Sequence, residues 1–442
     1  MTVALETPHR TPTPPPRPRW RVARAVDTFR DDLRAPAAWP VLDGVRGIAV
    51  LAAVAWHVFR MYPAEHVTSA SVPVVYWPLG TMRFCVDAFF VLSGFLVVRS
   101  WVSVRRSTGI VRGYLSFMGR RAARILPAYW ASLAVLVPLV APVLFDQPLR
   151  LVGFLTVNQY VKFWLPERVN PVYWTLTTEW HFYLLVPLVA WLLARFGRWP
   201  VLLGCVALSA WWYLSPPWRL PAGFVFGRLE QFVAGAVLGQ LVAAHARGAA
   251  SRLVELVQRR HAGTVIVGAL LALGTYHGST FGMGGRDLPS ALLHPAVAVL
   301  IAAGLLRLLT GGTSRLLMRP AARFFGTISF GLYLWHYPIL DHGEVLRDLP
   351  VPLPSFVWTT VVVAGLVAAS VAAAALSYVL IERPFIRRKP TSRDTAEHRT
   401  GPSSPAGTLA RWPSRRSSAS RPSTASRSAA RRIPIPSSRR RC

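Results

Sequence analysis

Ten apolar stretches recur through the chain, at about 42–60, 80–103, 125–144, 172–194, 200–215, 222–244, 263–276, 291–309, 324–341 and 356–380. Most approach the roughly 20 residues a helix needs to cross the hydrocarbon core of a bilayer. In lipid, every backbone N–H and C=O must be satisfied internally, so stretches of this kind can only be helices. The expectation is an all-α fold: a polytopic membrane helix bundle of about ten transmembrane helices, with 200–215 and 263–276 the shortest of the ten. Composition agrees, with 52% hydrophobic residues, 16% charged residues and a mean hydropathy of +0.36 over 442 residues.

Charge placement orients such a bundle. The 99–124 connection holds Arg99, Arg105, Arg106, Arg112, Arg120, Arg121 and Arg124 and no acid. Further basic connections carry Arg195 and Arg198, then Arg247, Arg252, Arg259 and Arg260, then Arg307, Arg315, Arg319 and Arg323. The connections between them are neutral or mixed: 61–79 has Glu65 and no Lys or Arg, and 341–355 has Asp341, Glu344, Arg347 and Asp348. By the positive-inside rule this alternation places both termini in the cytoplasm. Three regions follow: a flexible Pro-rich cytoplasmic leader (1–40), a transmembrane domain (41–386) and a basic cytoplasmic tail (387–442). From Arg387 onward there are 15 Lys and Arg against Asp394 and Glu397, in a background of Ser, Pro and Ala expected to be disordered. The net charge of +31 is therefore read as attraction to anionic lipid headgroups and not as nucleic-acid binding. Residues 1–40 lack the apolar core of a signal peptide.

Ionisable residues inside the spans are the functional signal, because they are costly in lipid and face a protein interior or a wet cavity. Arg46 and His57 share one face of the first span, about 16 Å apart along the axis. The N-in orientation puts Arg46 near the cytoplasmic end and His57 in the outer part. It also brings Asp87, Glu179 and His336 to the outer level of three further spans, which suggests one polar cavity fed by four helices. Each has a plainer reading. Arg46 and His57 could anchor helix ends, Asp87 could pair with Arg83 one turn earlier, Glu179 could be interfacial beside Trp180 and Tyr183, and His336 could bond a neighbouring helix. Ser93, in Leu92-Ser93-Gly94-Phe95, is readable as a nucleophile, but a Ser-Gly pair more often permits close helix packing. Arg120, Arg121 and Arg124 open the third span, where anchoring explains them; clustered guanidiniums also suit a polyanionic phosphate ligand. Arg228 is a further charge within a span, neutralised by Glu230 or by a carboxylate elsewhere. Cys85, Cys205 and Cys442 have no paired spacing, so neither a disulfide framework nor a metal site is expected, and no phosphate loop, nucleophile elbow or internal repeat occurs.

Six motifs in order resemble the membrane acyltransferase-3 family over residues from about 41 to 386: Arg-x10-His (Arg46, His57), Phe-Phe-x-Leu-Ser-Gly-Phe (Phe89 to Phe95), Arg-x-x-Arg (Arg121, Arg124), Trp-x-Leu-x-x-Glu-x-x-Phe-Tyr (Trp174 to Tyr183), Ser-x-x-x-Tyr-Leu-x-His (Ser329, Tyr333, His336) and Glu-x-Pro (Glu382, Pro384). The resemblance implies acyl transfer onto sugar or macrolide hydroxyls, with acyl-CoA as co-substrate and no bound cofactor. It marks Arg46, His57 and Glu179 as important for activity and Arg121 with Arg124 as neighbours of a cytoplasmic donor. Some members add a soluble hydrolase-like domain; about fifty low-complexity residues follow the last span here, so direct transfer to the final acceptor is expected.

The resulting expectation is a multi-pass enzyme of a bacterial plasma membrane, moving an acetyl or other short acyl group from acyl-CoA to a hydroxyl-bearing glycan or macrolide acceptor. His57 would act as base, oriented by Glu179 or Asp87, and Arg46 would balance the oxyanion. His336, Ser93, Trp174, Tyr333 and Arg228 would line the cavity. A proton-coupled transporter or flippase of a glycosylated product is the alternative, since it too needs charges between helices; the absence of an inverted repeat weighs against it. An inactive scaffold is the third reading.

Overall fold

The structure is a computed structural model that describes residues 39–62, 77–158, 169–215, 224–280, 287–311 and 314–386. The leader up to residue 38, most of the 61–79 connection and the basic tail lie outside the described residues. Among the described residues all regular structure is helical. The long helices are α1 (Pro40–Met61), α2 (Cys85–Thr108, entered through a 3-10 segment Trp77–Phe84), α3 (Ile110–Val140), the short α4 (Pro148–Leu155), α5 (Tyr173–Phe196), α6 (Arg198–Leu214) and α7 (Leu229–His245). There follow α8 (Arg252–Gln258), α9 (Ala262–Thr280), α10 (Leu288–Thr310), α11 (Pro320–Thr327), α12 (Ser329–His342), α13 (Ser355–Ser377), a π-helical turn at Tyr378–Glu382 and α14 (Arg383–Ile386).

Among the described residues each of the ten apolar stretches falls mainly in helix, and six segments are long and apolar enough to cross a membrane: Pro40–Met61, Trp77–Arg105, Ile110–Val140, Tyr173–Phe196, Leu288–Thr310 and Ser355–Ile386. The others are shorter: α6 and α7 have 17 residues each, α9 has 19 and α12 has 14. At 1.5 Å per residue α12 reaches only about 21 Å, because the stretch expected at 324–341 divides into α11 and α12 around Ile328.

Two other boundaries move. α3 starts at Ile110, immediately after Gly109, whose φ of +80° suits glycine and separates α2 from α3. Arg120, Arg121 and Arg124 therefore lie about three to four turns inside one continuous helix and do not mark its entry. Arg228 is the N-cap of α7, preceded by a 3-10 turn at Val225–Gly227, and is not inside a span.

Packing centres on α2, which contacts α7 most extensively and touches α1, α3, α5 and α10. The reason is small residues. A Cβ on Gly94 would collide with the Phe232 carbonyl, and one on Gly235 with that of Val91. Backbones that close gain van der Waals contact, the main drive for association where the surroundings are already apolar. Phe90, Phe95, Trp101, Phe182 and Phe232 fill the space around this contact, and the Phe182 and Phe232 rings stack at 4.1 Å. α1 meets α11 in the same way, Gly44 and Gly47 lying against the Leu317 and Ala322 carbonyls. Polar links between elements add to this: Thr175 donates to the Tyr333 hydroxyl at 2.9 Å, and Asn170 donates to the Leu334 carbonyl at 2.9 Å. The outside carries exposed Leu139, Leu203, Val265 and Phe356, as a lipid-facing surface does.

Candidate functional site

A cavity of about 120 Å³ lies inside the bundle between α1, α2, α3, α5 and α12. Three arginines line it. Arg46, six residues into α1, has its Nη1 at 2.8 Å from Asp43 Oδ1, an i,i+3 pair in the first turns of the helix. Arg121 lies with its guanidinium carbon 5.6 Å from the Phe117 ring centre and 5.8 Å from that of Tyr183, so both rings attract its charge. Arg124 is exposed and completes the basic side. Arg120 differs: it is exposed and donates to Ser116 Oγ at 2.6 Å, away from the cavity. Helical spacing explains the division, since Arg121 and Arg124 are three residues apart on one face while Arg120 is turned away from them.

The cavity's carboxylate is Glu179. Its Oε1 accepts from Ser93 Oγ at 2.5 Å and from the Tyr183 hydroxyl at 2.7 Å. Arg46 and Arg121 both stand within electrostatic range of it. Ser93 faces the cavity while its neighbour Gly94 makes the α7 contact, so the two readings of the Ser-Gly pair separate by residue. Glu382 adds a second carboxylate. It is buried in the π-helical turn, close to Gly331 and within electrostatic range of Arg124; Pro384 removes a helix donor nearby, and such turns are frequent at functional sites.

Tyr333 also lines the cavity, and beyond it lie the two histidines. The Tyr333 and His336 rings are 5.7 Å apart, and the His336 and His57 rings 5.2 Å apart. His57 also packs edge-on against Tyr337 at 4.9 Å. His336 is wholly buried, with Nδ1 at 2.9 Å from the Leu332 carbonyl. A carbonyl only accepts, so Nδ1 carries the proton and Nε2 keeps its lone pair. That Nε2 is buried with no partner among the described residues.

Asp87 does not join either group. His294 Nδ1 donates to Asp87 Oδ1 at 2.8 Å, and the His277 ring stands 5.9 Å from that of His294. Arg228 lies over Trp174 at 5.8 Å and within electrostatic range of Glu230 and His294. Trp174 meets Phe90 edge-on at 6.2 Å and is not part of the cavity wall.

The single polar level expected from four helices is thus corrected to three groups. Glu179 belongs with the arginines and Ser93, Asp87 with His294, and His57 with His336. Neither carboxylate makes a hydrogen bond with His57 among the described residues. Depth is corrected for Glu179, which stands with Arg46 near the start of α1 and not at the level of His57, and azimuth separates Asp87 from this group. Asp87 and Ser93 are six residues apart, about 240° around α2. Sequence reasoning missed Asp43 as the partner of Arg46, and His294 altogether. The latter had the same signal as His57 and His336, a histidine inside an apolar stretch, in Leu293-His294-Pro295. Among the described residues no group of three or more His, Cys, Asp or Glu side chains gathers in a way that would hold a metal ion.

Chemically, the cavity offers a basic wall for phosphate, a hydroxyl bound to a carboxylate, and a histidine lone pair one layer away. A family model described as "Acyltransferase domain" matches residues 39–379. The chain is 25% identical over 379 residues to the peptidoglycan O-acetyltransferase OatA of Listeria monocytogenes, covering 78% of this chain and 55% of that protein. It is 27% identical over 326 residues to the exopolysaccharide production protein ExoZ of Rhizobium meliloti, covering 70% and 92%. It is 26% identical over 391 residues to the putative membrane-bound transacylase BcsY of Komagataeibacter xylinus, covering 84% and 88%. The chain therefore spans about half the length of the OatA protein and most of the other two. No solved structure matches it.

Proposed function

The chain belongs to the membrane acyltransferase-3 family, and from that premise we propose that it transfers an acetyl or other short acyl group from acyl-CoA to a hydroxyl of a cell-envelope glycan. It would do so as a ten-span protein of a bacterial plasma membrane with both termini in the cytoplasm. The observation that carries the reading is one cavity that holds Arg46, Arg121 and Arg124 together with Glu179 and Ser93, with Tyr333 of its wall against the His336 ring and His336 against His57.

Guanidinium groups bind phosphate oxygens through planar, charge-assisted hydrogen bonds. Arg121 and Arg124 would hold the nucleotide diphosphate of the donor, and the thioester would lie deeper, toward Glu179. Arg46 has room to offset charge on the thioester oxygen as it becomes tetrahedral, a stabilisation that grows in a water-poor site. The acceptor hydroxyl would reach the cavity past Tyr333 and give its proton to the histidine pair. His336 Nε2 is the better-prepared atom, since its tautomer is held by Leu332. His57 supports it from the partly exposed side. The names of the peptidoglycan and exopolysaccharide relatives favour a glycan over a macrolide sugar as acceptor.

Membranes containing the protein, incubated with labelled acetyl-CoA and candidate glycan or macrolide acceptors, are expected to leave label on an acceptor as an alkali-labile ester. His57→Gln and His336→Gln, at unchanged protein level, should each lower the rate by about 10²–10⁴-fold, the usual contribution of a general base. Movement of a glycosylated substrate across the membrane with no acyl group added would overturn the enzyme reading in favour of transport.

A further inference from the structure

We infer that Ser93 carries the acyl group covalently between donor and acceptor, with Glu179 as the base that activates it; this rests on the acyltransferase reading above. Ser93 is 7% exposed yet lines the cavity, and its hydroxyl donates to Glu179 Oε1 at 2.5 Å. A nucleophile held by a base that is itself oriented by a third group is the recurrent arrangement of covalent catalysis. Here Tyr183 is that third group, bonded to the same carboxylate oxygen at 2.7 Å. The backbone beneath Ser93 is fixed as well, because Gly94 is pressed against the Phe232 carbonyl. A hydroxyl needed only for helix packing would bond the carbonyl one turn earlier, as Thr178 and Ser370 do with Trp174 and Leu366. Ser93 instead donates its hydrogen bond to a carboxylate at the arginine wall.

A covalent stage also accounts for the separation of the polar groups. Glu179 stands on the arginine side of Tyr333, and the histidines stand on the other. Two half-reactions place each base where its proton is released. In the first, Ser93 Oγ attacks the thioester carbon and its proton passes to the Glu179 carboxylate. The C–S bond then breaks, the thiolate departs and takes a proton from solvent, and Ser93 is left as an ester beside a protonated Glu179. In the second, the acceptor hydroxyl attacks the Ser93 ester and gives its proton to His336 Nε2. As the ester C–O bond breaks, Glu179 returns its proton to Ser93 Oγ and His336 releases its own to solvent.

The full-length protein in membranes, given labelled acetyl-CoA without acceptor, is expected to take up close to one label per chain on the peptide containing Ser93, and to lose it to glycan acceptor on chase. Ser93→Ala should abolish the label and lower transfer at least about 100-fold, while CoA still shifts its thermal stability as it does the parent's, which shows that the fold and donor site survive. Ser93→Cys should trap the label as a thioester labile to neutral hydroxylamine, and Glu179→Gln should slow labelling about 100-fold. Transfer to acceptor with Ser93 unmodified, with label on another residue, or with Ser93→Ala at the parental rate overturns the inference and leaves the acyltransferase reading standing. Absence of both label and transfer in the parent protein overturns the two together.

Discussion

Arg121 and Arg120 are adjacent in sequence and have opposite surroundings. Arg121 is wedged between the Phe117 and Tyr183 rings, whereas Arg120 reaches only Ser116 on the exposed face. Substituting them tests the proposed donor site. Arg121→Ala should raise the KM for acyl-CoA about tenfold, the loss expected for one charge-assisted contact, with a smaller change in kcat. Arg121→Lys should recover little, because an ammonium cannot reproduce a stacked, planar fork. Arg120→Ala should leave both parameters within about twofold, as most exposed positions do. Steady-state kinetics in membranes at matched protein level check all three, and an Arg120→Ala effect equal to that of Arg121→Ala would remove the distinction. At this scale the sequence pattern singled out residues more readily than it paired them. Arg46, Ser93, Arg121, Arg124, Glu179 and Tyr333 do line one cavity. The pairing of Asp87 with His294 could not be seen, because it joins residues 207 positions apart on helices whose rotation no local pattern reveals.

At the scale of elements, apolar length located the long helices but not the short α4 and α8, while close backbone approach determines which helices touch. Gly94 and Gly235 each leave room for a carbonyl of the facing helix where a Cβ would overlap it. Gly94→Ala and Gly235→Ala are therefore expected to push α2 and α7 apart, at a cost of about 1–3 kcal/mol, the range for overpacking a filled interior. The change should appear as a lower melting temperature in detergent, accompanied for Gly94→Ala by slower acyl transfer because Ser93 is displaced with it. Gly119 and Gly204 have open space at the Cβ position. Alanine there removes a helix-weakening glycine and should be neutral or slightly stabilising. Equal melting temperatures for all four variants would show that the α2–α7 contact is looser than its geometry implies. Helix ends were the least readable part. The break at Gly109 falls inside the basic 99–124 connection and the division of α11 from α12 inside an apolar stretch, and in both places the backbone turns where the sequence pattern gives no boundary.

For the whole molecule, two counts of membrane crossings compete. Ten helical stretches with alternating basic connections predict ten crossings with both termini inside, whereas six helices meet the spanning criterion by length and hydropathy alone. The two counts differ after α6, after α9 and after α10, and the first and last of these are readily probed. If α6, α7, α9 and α12 cross, the residue after α6, Ser215, faces outward and the Arg315 connection faces the cytoplasm. If only the six longer helices cross, with the N-terminus still inside, Ser215 stays in the cytoplasm and Arg315 is exported along with Arg319 and Arg323. That second arrangement sets three arginines on the outer side, against the bias by which basic residues are retained inside. It also takes α7, which packs along α2 more extensively than any other helix does, out of the membrane that α2 crosses. The ten-crossing arrangement is the one expected, with α6 and α7, each about 26 Å long, embedded against longer neighbours. Single-cysteine variants in a background lacking Cys85, Cys205 and Cys442 decide between them. In intact cells an impermeant maleimide should label Ser215→Cys and spare Arg315→Cys until the membrane is opened, while Asp348→Cys, outside in both arrangements, serves as the reference. The reverse pattern at Ser215 and Arg315 would establish six crossings, and the glycan acceptor would then have to reach Tyr333 and the histidine pair by a different route.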